Sequence, residues 1–144
     1  MIDIEVLGKV IESLNVGVVV LNPQNEIIAF NRKAGEFLQQ DSETRIGTSI
    51  LRCHPERAEA GVLKMIDQMK SGELESYEGF VNFCGRIVYE YIYPIRDERG
   101  NYIATVSEIH DGADKAEALK LKGEFTQPEM HGLGESAPRA PQPD

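Results

Sequence analysis

The sequence predicts an α+β fold, a single antiparallel sheet of five strands with helices packed on one face and a helix at each end. Two observations carry this. Runs rich in β-branched and aromatic residues come as a pair near 16–30 and as a trio between 74 and 110, with helical periodicity before, between and after them. The resulting order is helix, two strands, a helical middle, three strands and helix, which is neither βαβ alternation nor an all-β pattern.

Residues 3–14 place Ile4, Leu7, Ile11 and Leu14 at steps of three, four and three, the spacing of a coiled-coil seam. Such a helix either lies on its own domain or forms a dimer contact. Residues 16–21 are β-branched and apolar and read as a buried strand. "NPQN" is turn chemistry, and residues 26–30 complete a hairpin. Asn31 is a natural N-cap for a helix over 32–39 that sets Ala34, Phe37 and Leu38 on one side. "DSETRIGTSI" is polar and loop-like, anchored by Ile46 and Ile50.

Pro55 has no N–H to leave unpaired and a preset φ, so it suits the first position of a helix over 55–70. His54 then becomes the N-cap, where Ser, Thr, Asp or Asn is the usual choice. Gly72 stops this helix. Strands follow over 74–83, 86–96 and 102–110, with "DERG" as a tight turn between the last two. Pro94 marks an interruption or an edge. Residues 113–122 form a helix by propensity, and the Pro- and Gly-rich segment from 123 to 144 is expected to be disordered. The chain is thus expected to divide into an N-terminal amphipathic helix (1–15), a core (16–112), an exit helix (113–122) and a tail (123–144).

At 144 residues the chain is long enough for one core, and its formal net charge is −9. An acidic chain without a basic cluster is not expected to bind nucleic acid or an anionic membrane. No apolar run approaches the ~20 residues of a membrane span. The N-terminus carries acids early and lacks an apolar signal-peptide core, so a cytoplasmic protein is expected. The two cysteines, Cys53 and Cys84, form no disulfide framework and are expected to be small buried hydrophobes. Together with His54 and His110 they lack zinc-site spacing. No P-loop, GxSxG or kinase signature is present, so an enzyme is not expected.

The stretch "NVGVVVLNPQNEIIAFNRKAGEFL" resembles a PAS domain. Gly17, Asn22, Ile28, Asn31, Ala34, Phe37 and Leu38 sit where that pattern wants them. "YPIRDERGNYIATVSEIHDGADKAEAL" is similar to the family's closing hairpin and the Asp-containing junction to its exit helix. The resemblance covers about residues 3–122 and implies a five-stranded sheet and a helical face enclosing a pocket. PAS domains hold heme, flavin, a chromophore or a metabolite there, or dimerise without a ligand. "HPE" at 54–56 resembles the segment that opens the helix over the heme in carbon-monoxide-responsive bacterial regulators. "CHP" also resembles PAS modules fused to hemerythrin-like domains. "SILRCHPER" does not match the cysteine motif of flavin photoreceptors.

Extending the helix pitch back to His54 places it in one stripe with Ala58, Val62, Met65, Ile66 and Met69. A helix start disfavours imidazolium, and neutral imidazole is the form that ligates iron. The same position suits a half-buried structural histidine. The resemblance implies a stand-alone cytoplasmic sensor binding heme b, with His54 as the metal ligand and Ile50, Val62, Met65 and Ile66 lining the cofactor. It would detect a diatomic gas or redox state. No output domain follows the exit helix, so signalling through contact with a separate output protein is expected, as is a homodimer. Those regulators also use a sheet methionine as second ligand. None occurs here between Met69 and Met130, so the sixth position is expected to be open, water-bound or taken by another side chain. The alternatives are a cofactor-free dimerisation module and a pocket for a small metabolite. Tyr89, Tyr91 and Tyr93 alternate on one strand face and read as packing or interface.

Overall fold

The computed structural model of the chain describes residues 2–54, 56–83 and 85–122. Helix α1 (Ile4–Ser13) leads into strands β1 (Gly17–Leu21) and β2 (Ile27–Phe30) and helix α2 (Arg32–Leu38). Short helix α3 (Ser42–Arg45) and two 3-10 turns (Ile50–Cys53 and Glu56–Ala58) precede α4 (Glu59–Ser71). Strands β3 (Tyr77–Phe83), β4 (Arg86–Arg96) and β5 (Tyr102–Asp111) then lead to α5 (Gly112–Leu121). The five strands form one antiparallel sheet in the order β2-β1-β5-β4-β3. The predicted α+β class is the observed one.

Strand alternation sorts the sheet into two faces. Val19, Leu21, Val81, Val88 and Ile109 point to the helical side and join Phe30, Ala34, Phe37, Val62 and Ile66 in one core. Gly17 lets β1 approach α2, because a Cβ there would stand 3.0 Å from both Ala34 Cα and Ile109 Cβ. The loop expected to be irregular contains α3, capped by Asp41, whose side chain accepts from Glu43 N. Ile46, expected as an anchor, is exposed, whereas Ile50 packs against the core. Pro94 does not interrupt β4. It lies beyond Ile92, the last β4 residue paired with β3, so one side of the strand is open there.

The helix expected from 55 begins instead at Glu59, with Ala58 as an N-cap that makes no side-chain bond. His54 is not its cap; it closes the 3-10 turn of Ile50–Cys53 with extended φ and ψ. The assignment of Pro55 to a helix start, the burial of the two cysteine side chains and the disordered tail after 122 lie outside the described residues.

Asn31 caps α2 and does more besides. Its Oδ1 accepts from Ala34 N at 3.0 Å and Val18 N at 2.9 Å, and its Nδ2 donates to Ile11 O and Val16 O, both at 2.9 Å. It is 1% exposed. On the far side of the sheet, Gly112 opens α5 pressed against β4: a Cβ there would run into the carbonyl of Ile87. Asn31→Ala removes a cap and strands buried backbone donors and acceptors. It is expected to cost at least about 3 kcal/mol in urea unfolding.

Candidate functional site

The core has a helical wall, built from the 3-10 turns and α4, and a sheet wall, the inward side of β3, β4 and β5. His54 belongs to the helical wall. Its Nδ1 lies 3.1 Å from the carbonyl oxygen of Ile50. A carbonyl only accepts, so Nδ1 carries the proton and, in the neutral ring, Nε2 keeps its lone pair. Burial pushes the imidazole below its ordinary pKa, partly opposed by the Ile50 bond, so neutral is the favoured form. An imidazole whose other nitrogen donates to a backbone carbonyl is oriented and tautomer-fixed as metal-ligating histidines are.

The other predicted lining residues fall into two groups. Val62 and Ile66 are buried on α4 and Ile50 packs partly buried beside them, all three within one core. Met65 is half-buried on α4, and Met69 is fully buried with its carbonyl accepting from the Arg96 guanidinium. Among the described residues no cluster of three or more His, Cys, Asp or Glu side chains is placed to hold a metal ion. A heme iron asks for a single histidine from this wall, and the tautomer of His54 meets that requirement.

The sheet wall carries a group the sequence reading passed over. Glu90 lies between Val88 and Ile92 in the alternation of β4, both buried, so it shares their inward face. Across the ladders it stands opposite Gly79 on β3 and Ile109 on β5. Half-buried there, its carboxyl group makes no hydrogen bond or ion pair among the described residues, and desolvation pushes its pKa up to about 7. Tyr77, two residues along β3 from Gly79, has its hydroxyl pKa raised by burial and by the nearby Glu90 charge.

The outward face behaves differently. Tyr89 donates to Glu78 at 2.5 Å and Tyr93 donates to Glu108 at 2.7 Å. Burial and then that bond push Tyr93 up to about 12. Lys115 of α5 sits 4.6 Å from the centroid of the Tyr89 ring. Tyr89 and Tyr93 are thus packed and paired, whereas Tyr91 is exposed beside Tyr93, and the signal for Glu90 was available: one acid in phase with the apolar residues of "IVYEYIY".

Among known proteins, the family model described as a PAS domain matches residues 7–111. A C-terminal domain from Streptococcus mutans superposes with a TM-score of 0.68 at 17% identity, covering 81% of this chain and 90% of that one. The PAS domain of a Colwellia psychrerythraea protein gives 0.57 at 16% identity, covering 75% and 95%. A sensory box sensor histidine kinase from Vibrio cholerae gives 0.54 at 20%, covering 74% and 90%. At these identities the likeness is one of fold. No curated protein sequence matches the chain.

Glu90 makes stability depend on pH. Its pKa is raised on folding from an unfolded value near 4.5 to about 7, so its favourable contribution is complete below the unfolded pKa and is lost as pH rises through 7. Glu90→Gln removes that loss. Between pH 5 and pH 8 the variant is expected to gain on the order of 2–3 kcal/mol relative to wild type, measured by urea unfolding at each pH.

Proposed function

The chain belongs to the PAS domain family, and from that premise we propose that it is a sensor whose interior binds heme b through His54. In this reading it detects a diatomic gas or redox state and signals to a separate cytoplasmic output protein by contact. The observation that carries it is the bond from His54 Nδ1–H to the Ile50 carbonyl, which leaves Nε2 with a free lone pair in a neutral ring. Heme, held by the His54 imidazole, would supply an iron able to bind a diatomic ligand or change redox state. The Ile50 carbonyl orients that imidazole, and Ile50, Val62, Met65 and Ile66 would form the apolar wall around it. The described parts of β3, β4 and β5 contain no methionine, so a second ligand of that kind does not come from them.

A second reading, a ligand-free interaction module, is favoured by α1. No residue of that helix is buried. Ile11 and Leu14 are half-covered by the domain, whereas Ile4, Val6, Leu7 and Val10 remain exposed. An apolar helix face of this kind needs a cover, and a second copy of the chain supplies the same face by two-fold symmetry. No helix of the described residues is long and apolar enough to cross a membrane.

Reconstitution with hemin separates these readings. Wild type is expected to take up one equivalent with a Soret band, and His54→Ala to lose it with an unchanged far-UV circular dichroism spectrum. A variant that binds hemin as wild type does removes His54 as ligand. For the second reading, light scattering is expected to show a wild-type dimer that Leu7→Glu with Val10→Glu converts to a monomer.

A further inference from the structure

We propose that the cleft at the base of α5 binds a phosphate-bearing small molecule, at a site separate from the His54 wall. The cleft has a volume of about 500 Å³, within the ~300–1,000 Å³ of small-molecule sites. Three elements line it with cations: α2 brings Lys33, β4 brings Arg86 and α5 brings Lys115. Two carboxylates, Asp111 and Asp114, line it as well. Positive charge is thus in local excess on a chain whose formal net charge is −9.

Each of the three cations is seated on an aromatic ring. The Arg86 guanidinium lies 4.6 Å and Lys33 Nζ 5.7 Å from the ring centroid of Phe37, which is buried on α2. Lys115 Nζ lies 4.6 Å from the centroid of Tyr89. A ring face attracts a cation but bears no formal charge, so it fixes where the charge sits without neutralising it. The nearby acids are already shared. Glu36 divides its oxygens between Lys33, at 3.6 Å, and Arg32, at 3.0 Å. Asp111 Oδ2 stands 3.6 Å from Arg86, longer than the ~2.7–2.9 Å of a tight charge-assisted bond. Its Oδ1 accepts from Asp114 N at 3.0 Å and caps α5. Asp114 itself is exposed and screened by water. Donors from three elements suit an anion that accepts from three directions. A phosphate monoester offers three such oxygens, whereas a carboxylate offers two in one plane. The Arg86 fork matches two phosphate oxygens, and the lysines act as point charges. A phosphate in this cleft bridges α2, β4 and α5, so its occupancy holds the exit helix on the domain.

This inference does not rest on the heme reading. It is tested on the full chain by isothermal titration calorimetry at low salt, with phenyl phosphate as the probe, benzoate as the carboxylate control and benzyl alcohol as the neutral one. Wild type is expected to bind one equivalent of phenyl phosphate, benzoate more weakly, and benzyl alcohol not at all. Arg86→Gln and Lys115→Gln each remove one charged donor and are expected to weaken binding at least about tenfold. Lys115 is on the half-exposed surface of α5, so its variant tests the site even if Arg86→Gln fails to fold. Lys9→Gln, on α1 and paired with Glu5, and His54→Ala are expected to leave the affinity unchanged. No saturable binding at millimolar phenyl phosphate overturns the proposal. So does an affinity that Lys115→Gln does not shift, that Lys9→Gln or His54→Ala shifts as much, or that benzoate equals.

Discussion

Asn31 is the residue on which the rest of the structure depends. A side-chain amide has one acceptor oxygen with two lone pairs and two N–H donors, and here all four valences are used on four backbone groups from separate pieces of chain. The end of α1, the connection to β1, the first residues of β1 and the first turn of α2 are tied to one point. Because the site is buried, each bond is made away from competing water, and each backbone group would be left stranded without it. The close approach of β1 to α2 at Gly17 follows from the same junction. With that corner fixed, β1 presents its ladder to β5, and β5 in turn carries β4 and β3.

β4 shows how a sheet can treat two sets of acids in opposite ways. Outward, tyrosine hydroxyls reach across to Glu78 and Glu108, and α5 closes over Tyr89 with a lysine. Water and partners share the work of keeping those charges. Inward, Glu90 is half-buried and has no hydrogen-bond or ion-pair partner among the described residues. The contrast lies across three neighbouring strands, with Glu78 on β3 and Glu108 on β5 facing outward and Glu90 between them on β4 facing inward.

Much of this architecture was readable from the residues. The strands announced themselves by alternation and β-branching, and Asn31 and Gly72 marked helix ends as capping rules anticipate. Three features were not readable, each for a physical reason. α3 is only four residues long, too short for a periodic signal, and its Asp41 cap is common in plain turns as well. The start of α4 was misplaced because a 3-10 turn intervenes at Glu56–Ala58, and its tighter pitch breaks the extrapolation of a 3.6-residue stripe back to His54. His54 therefore escapes the N-cap preference because it starts no helix: it ends a preceding turn, where its backbone N–H bonds to the Leu51 carbonyl and its ring to that of Ile50. Glu90 was passed over because β-propensity directs attention to the tyrosines beside it, while the phase of the alternation held the information.

The contact between Gly112 and Ile87 sets the mechanical character of the molecule. Most helices rest on a sheet through a layer of side chains, which can shift rotamers and absorb small displacements. At its first residue α5 has no such cushion, since glycine brings backbone directly against the backbone of β4. Three residues beyond Ile87 on that strand stands Glu90. The helix that leaves the domain is thus seated on the same strand, three residues from the acid that faces the interior, with no side-chain layer between helix base and strand.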